Sequence, residues 1–243
     1  EMSKIAEPSV EASIDQFCGY FWERSQAIAS LSESHFRDTL FVTLLDALAR
    51  ARYSSVLTGQ RDLKNKDRFT RLIAEYATWQ HRNFHSLPQL KYGLERGGVT
   101  KEEDWDLARR IGPILDSWDS GTPVHLDRDL DGGYIASLSL TAEQSELVDD
   151  AKHTSLFYTH RCRLVHEFRP AGHGHDMFHG ETAPYYHSQT SPEGMPTWEL
   201  VYPVVFFTTL IEEVLASLRA FWLTDRKDPY DAFNFDSHWA GSR

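Results

Sequence analysis

The sequence predicts an all-α fold, a helical bundle with one or two small β-hairpin insertions. Three observations carry that expectation. Apolar residues recur at three- and four-residue spacing along most of the chain. Helix-entry and helix-exit residues punctuate those stretches. The segments that break the helical period are short, near 123–140 and 185–202.

Residues 1–9 read as a loose terminus. Val10 to Leu31 places Ile14, Phe17, Cys18, Phe21, Trp22 and Ile28 at helical spacing, and Ser32 or Ser34 can cap the next helix. Phe36 to Leu57 follows, with Leu40, Phe41, Leu44, Leu45, Leu48 and Ala51 on a wide apolar face that ends at Thr58-Gly59. Lys66 to Gln80 and a short Gln89 to Glu95 segment, stopped by Gly97-Gly98, complete the first half. Lys101 to Trp118 is an amphipathic helix capped by Thr100 with Glu103 three residues later, and Gly112-Pro113 can kink it.

Between Pro123 and Leu140, Asp131-Gly132-Gly133 between apolar pairs predicts a hairpin turn. Thr141 to Pro170 then reads as one long helix. Thr141 and Gln144 form a capping box, acidic residues stand early and Arg161, Arg163 and Arg169 late, and Pro170 ends it. Leu147, Ala151, Tyr158, Cys162 and Val165 fall on one apolar arc. A Gly/His-rich loop spans 171–182, Tyr185–His187 and Trp198–Tyr202 can pair as strands, and Pro203 opens a helix over Val204–Trp222. Residues 225–243 form a polar tail with aromatics. No repeat or linker divides the chain, so a single domain over 1–243 is expected.

The chain has 243 residues, 41% hydrophobic and 13% aromatic, enough for a substantial core. Its formal charge of −11 argues against non-specific DNA wrapping and against an anionic membrane surface, while leaving room for a local basic site. The run Val204–Leu223 contains Glu212, Glu213 and Arg219, which suits a helix of a soluble protein and not a membrane span. Two cysteines in apolar context and no visible signal peptide point to a reducing cytoplasm. No Gly-rich phosphate loop follows a strand and no GxSxG nucleophile motif occurs, and no cofactor is expected.

Four clusters bear on chemistry. The first is HRCRLVHEFRP, with Arg161 and His166 five apart, about 140° around an ideal helix. Arg163, Arg169 and Glu167 surround them as candidate substrate-binding groups. The bland counterpart is a helix-end histidine and a structural ion pair. The second is a basic excess over residues 50–71, either a nucleic-acid track or a solvated face. The third is the loop GHGHDMFHG, whose His173, His175 and His179 are the alternative metal ligands; no metal is the first expectation, and the loop can equally gate a cleft. The fourth is His81-Arg82-Asn83-Phe84-His85, a cluster that more often caps a helix.

On the string Arg161-Cys162-Arg163-Leu164-Val165-His166, late on a long helix, the sequence resembles the HEPN superfamily (higher eukaryotes and prokaryotes nucleotide-binding domain). The resemblance covers roughly 36–223 and is specific over 158–169. It implies a HEPN-like bundle that homodimerises, with Arg161 and His166 as catalytic residues of a metal-independent endoribonuclease. RNA would be the substrate, and an antitoxin or regulatory protein a possible partner in a toxin or defence setting. Cys162 stands where the family often has a polar residue. A non-catalytic RNA- or nucleotide-binding module on the same fold is the alternative.

Overall fold

The computed structural model describes residues 9–97, 106–172, 176–190 and 196–233. The first helix, α1 (Val10–Ala29), is capped by the Ser9 hydroxyl, and α2 (Ser34–Tyr53) follows after a short break. The one-turn α3 (Ser55–Thr58) ends at Gly59, whose φ of 67° suits a residue without a Cβ. Next come α4 (Asn65–Tyr76), α5 (Leu87–Gly97) and α6 (Asp106–Asp116), which contains Pro113. The expected cap at Thr100 and Glu103 lies outside the described residues, as do 234–243 of the tail.

A strand β1 (Val124–His125) leads to α7 (Gly132–Ala136), α8 (Ala142–Ala151) and α9 (His153–Cys162). The chain then passes through a π-turn, Arg163–Glu167. Strands β2 (Tyr185–Thr190) and β3 (Pro196–Val201) precede α10 (Val204–Asp225). The strands form one antiparallel sheet in the order β1-β2-β3, with Val124 opposite Tyr186 and Tyr186 opposite Leu200. The protein is thus mostly helical with a small three-stranded sheet. No helix among the described residues is long and apolar enough to cross a membrane.

Most of the core gathers on α10. Phe41 of α2 stacks on Phe207 at 5.2 Å, Phe17 of α1 meets Trp222 edge-on at 5.3 Å, and Phe157 of α9 packs against Phe206 and Phe207. A second cluster joins α5 to α8 through Leu87, Leu90, Leu107, Ile111, Ile135 and Val148. Trp118 and Trp198, ring centroids 5.1 Å apart, pack against both clusters. Burial of these side chains stabilises the fold at roughly 1.5–3 kcal/mol each.

Two sequence expectations are corrected. The hairpin at 123–140 does not form. The Asp131 carboxylate accepts the Gly133 and Tyr134 N–H groups and caps α7, and the Val124–His125 strand pairs with β2 instead. The chemistry that makes Asp-Gly a turn signal also makes it a helix cap. Second, the long helix over 142–169 is broken at Lys152, which is extended (φ −65°, ψ 137°). The cause is distant in sequence. The extended segment Phe84–Ser86 exchanges main-chain hydrogen bonds there: Ser86 N–H donates to Ala151 O and His153 N–H to Phe84 O, both at 2.9 Å. Because α9 restarts, its buried side is His153, Phe157, His160, Arg161 and Leu164, and Val165 of the expected apolar arc is exposed.

A buried polar node locks this break. Asp129 accepts from His153 Nε2 at 2.8 Å, from the Tyr186 hydroxyl at 2.7 Å and from Leu87 N–H at 2.9 Å. The Tyr186 hydroxyl also lies 2.8 Å from Ser86 Oγ. The side chains of Asp129 and His153 are wholly buried, so removing the carboxylate strands several donors away from water. Asp129→Ala is expected to lower stability by about 3–5 kcal/mol in urea unfolding; a loss below about 1 kcal/mol would show that the node is not what holds the break.

Candidate functional site

Arg161 sits in the last turn of α9 and His166 in the π-turn that follows. Pro170 bars helical geometry at Arg169, and Phe168 closes the turn in the left-handed region at φ 53°. In a continuous α-helix, residues five apart diverge by about 140°. The π-turn that begins at Arg163 winds more slowly than an α-helix, which narrows that divergence. Arg161 Nη1 accordingly lies 3.2 Å from His166 Nε2. The two side chains do not point about 140° apart, as on the ideal helix expected from sequence; they touch.

The guanidinium is buried (6% exposed) and pairs through Nη2 with Asp46 of α2. Its Cζ lies 5.9 Å from the centre of the Tyr158 ring. Burial works against the charged form, but the Asp46 carboxylate outweighs it and raises the guanidinium's pKa. With Nη2 committed inward, Arg161 offers Nη1 and its charge to the site. His166 is exposed. Asp46 was not singled out by the sequence reading, although a carboxylate inside Leu44-Leu45-Asp46-Ala47-Leu48 needs a partner, which was a legible signal.

Arg163, Glu167 and Arg169 form one surface triad. Arg163 Nη1 is 2.5 Å from Glu167 Oε1, and Arg169 Nη2 is 2.6 Å from Glu167 Oε2. The hydrogen bond from Arg163, with the two nearby positive charges, holds the Glu167 carboxyl below the usual range. A phosphate taken up by either arginine would have to compete with Glu167. Beside them the exposed rings of Phe36 and Phe168 meet at 5.3 Å, and Leu40 and Val165 are exposed as well.

The chain matches no protein-family model, no curated protein and no solved structure. The site must be read from its own geometry.

The other clusters resolve differently. Arg82 donates to Ala74 O at 3.1 Å and Trp79 O at 2.9 Å, so it caps the end of α4. In the basic stretch, Arg52 packs on Phe221 with its Cζ 3.9 Å from the ring centre, Arg71 pairs with Glu75 at 2.9 Å, and Lys66 lies 3.5 Å from Asp150. Arg52 thus serves packing, while Arg71 and Lys66 are half-exposed partners of carboxylates. His173 and His175 lie outside the described residues, and His179 is exposed. Among the described residues no three His, Cys, Asp or Glu side chains are grouped to hold a metal ion.

A second polar cluster adjoins the first. His160, the neighbour of Arg161, faces a small cavity with Arg37 and Asp38 of α2, Asp176 of the loop, and Tyr202. Burial pushes the Asp38 carboxyl up; Arg37 opposes this in part, Asp176 adds to it, and the value is about 7. Burial also lowers His160 to about 4. Sequence reasoning missed this cluster, because its members are scattered and no motif joins them.

The Asp38 shift has a signed consequence. Between about pH 4 and pH 7 the folded chain keeps a proton that the unfolded chain has lost. Its contribution therefore falls as pH rises through that window and levels off above it. His160 acts in the opposite sense, losing stability as pH falls from about 6.5 toward 4, but it is common to wild type and an Asp38 variant. Asp38→Asn is expected to gain on the order of 2–4 kcal/mol over wild type above pH 7, with the gain vanishing near pH 4. Urea unfolding of both proteins across that range checks it, and a pH-independent difference would contradict it.

Proposed function

We propose that this protein is a metal-independent endoribonuclease of the HEPN type, working as a homodimer with a composite site. The observation that carries the reading is the exposed His166 imidazole held 3.2 Å from the Arg161 guanidinium by a π-turn. π-turns inside helices are uncommon and concentrate at functional sites. A HEPN-like bundle is part of the same proposal.

The chemistry follows from the groups. An imidazole titrates near neutrality and can take the proton of a ribose 2′-OH. The 2′-oxygen then bonds to the adjacent phosphorus and the P–O5′ bond breaks, leaving a 2′,3′-cyclic phosphate. The departing O5′ takes a proton from a second imidazole, which His166 of a second copy would supply in a two-fold arrangement. Arg161 Nη1 and its positive charge would stabilise the charge that builds on the phosphoryl oxygens. The inward pairing with Asp46 fixes the guanidinium in place, so little conformational freedom is lost when substrate binds. The exposed Phe36, Leu40, Val165 and Phe168 provide the apolar area that a second copy would cover.

One observation favours the alternative, a non-catalytic RNA- or nucleotide-binding module. Arg161 is buried and half-committed to Asp46, and Cys162 occupies the position after it, which is often polar in the family. Such a module would bind RNA without cutting it.

Incubating RNA with the protein in EDTA separates the two. Wild type is expected to cut, and His166→Ala, which removes an exposed side chain, to lose about 10²- to 10⁴-fold in rate with its thermal transition unchanged. Binding without cleavage would favour the module, and equal cutting by wild type and variant would remove His166 from the mechanism.

A further inference from the structure

Among the described residues, four polar atoms around one cavity have no hydrogen-bond partner: Arg37 Nε, Asp38 Oδ1, His160 Nε2 and the Tyr202 hydroxyl. His160 and Tyr202 are each 7% exposed, so water outside the cavity does not serve them. Arg37 Nε and Asp38 Oδ1 are 3.7 Å apart, too far for a good mutual hydrogen bond. A buried polar atom left alone costs about 1–3 kcal/mol, and native proteins keep few of them without a functional cause. Four on one cavity mark a place that a polar ligand completes.

The cavity measures about 50 Å³ and is lined also by Ser34, His35, Pro170 and Asp176. That exceeds the roughly 10–15 Å³ one water needs. It is too small for a nucleotide and suits the edge of a heteroaromatic ring. The unmet groups define the edge. Arg37 Nε–H can only donate; ionised Asp38 can only accept; the Tyr202 hydroxyl and neutral His160 Nε2 can do either. A second carboxylate, Asp176, is steadied by the Tyr185 hydroxyl at 2.9 Å. The ligand edge must therefore offer donors to carboxylates beside an acceptor for the guanidinium. Among the common bases, guanine does this best: N1–H and the N2 amino group stand side by side, next to O6.

We propose that this cavity is a base-recognition subsite that takes the Watson–Crick edge of guanine, with Asp38 accepting from N1–H and N2–H and with Arg37 or Tyr202 donating to O6. Its place in the fold supports the assignment. His160 directly precedes Arg161, and Pro170 stands four residues after His166. Along α2, Asp38 is eight residues from Asp46, about 12 Å, which is the scale of one nucleotide. The biological meaning rests on the ribonuclease reading, in which the subsite would select the base beside the cleaved phosphate; the binding itself does not.

Asp38 can accept from N1–H and N2–H together, one at each oxygen, only when ionised. The charged or titratable groups facing it are Arg37 and His35 on its own helix, His160 on α9, Asp176 on the loop and Tyr202 after β3. With its carboxyl near 7 and His160 neutral down to about 4, guanine affinity should rise as pH climbs to about 7.5 and then flatten.

The experiment is calorimetric or NMR titration of the full chain with guanosine, inosine, adenosine and uridine at pH 7.5. The proteins are wild type, Asp38→Asn, Tyr202→Phe and His166→Ala. Guanosine should bind wild type at least tenfold more tightly than adenosine or uridine, with inosine, which lacks the N2 amino group, between them. Asp38→Asn should abolish that preference, Tyr202→Phe should weaken guanosine severalfold, and His166→Ala, which alters no base contact, should keep the ratio of guanosine to adenosine affinity. Equal binding of all four nucleosides, no binding at millimolar concentration, or an intact preference in Asp38→Asn would overturn the proposal, leaving the cavity to water alone. Nucleosides carry no phosphate and need no cleavage. Failure here therefore leaves the RNA-cutting reading to its own assay, and failure there leaves this one standing.

Discussion

The buried ion pair between Arg161 and Asp46 is the constraint on which the site depends. A guanidinium so far from water is tolerable only with a counter-charge, and α2 supplies it from the middle of an otherwise apolar stretch. The pair fixes the end of α9 against α2 and aims what remains of the guanidinium outward. The π-turn is the second half of the device. One wider turn swings His166 from the far side of the helix to the edge of Arg161, so a buried fixed charge and an exposed titratable ring become neighbours.

That alignment depends on where α9 begins. The helix restarts at His153 because Phe84–Ser86 takes up the main chain at Lys152, and the Asp129 node holds both segments. Had α8 run on unbroken, the restart that turns His160 and Arg161 to the inside would be lost. The small sheet contributes from the other side: Tyr186 on β2 reaches the node, and Tyr202, just past β3, closes the cavity beside His160. Two polar centres, one fully enclosed and one half open, thus share a single short helix.

Much of the helical framework was legible in the sequence because its signals are local. The Thr141–Gln144 capping box forms in both directions, Gly59 ends the one-turn α3 although the expected single helix over Phe36–Leu57 breaks earlier, at the extended Ser54, and the strand pair at 185–201 appears where it was expected. What failed was non-local or ambiguous. The break at Lys152 is imposed by residues some sixty-five positions earlier, Asp131-Gly132-Gly133 can serve a hairpin or a cap, and a π-turn leaves no mark on a hydrophobic period measured at 100° per residue. At the candidate site, Arg161 and His166 were singled out by motif, whereas Asp46 required attention to a lone carboxylate among leucines. The Asp38 cavity draws on α2, α9, a loop and the residue after β3, and only the tertiary fold assembles it.

The direct test is whether Arg161 is immobilised by Asp46 and coupled to His166. Nitrogen-detected NMR of the Arg161 guanidinium in wild type and Asp46→Ala, with the His166 ring followed in the same samples, measures both. The expected result is slow rotation about the Cζ–Nε bond in wild type, fast rotation in the variant, and a clear shift of the His166 ring signals when Asp46 is removed. A freely rotating Arg161 in wild type, or a His166 ring indifferent to Asp46, would contradict the account.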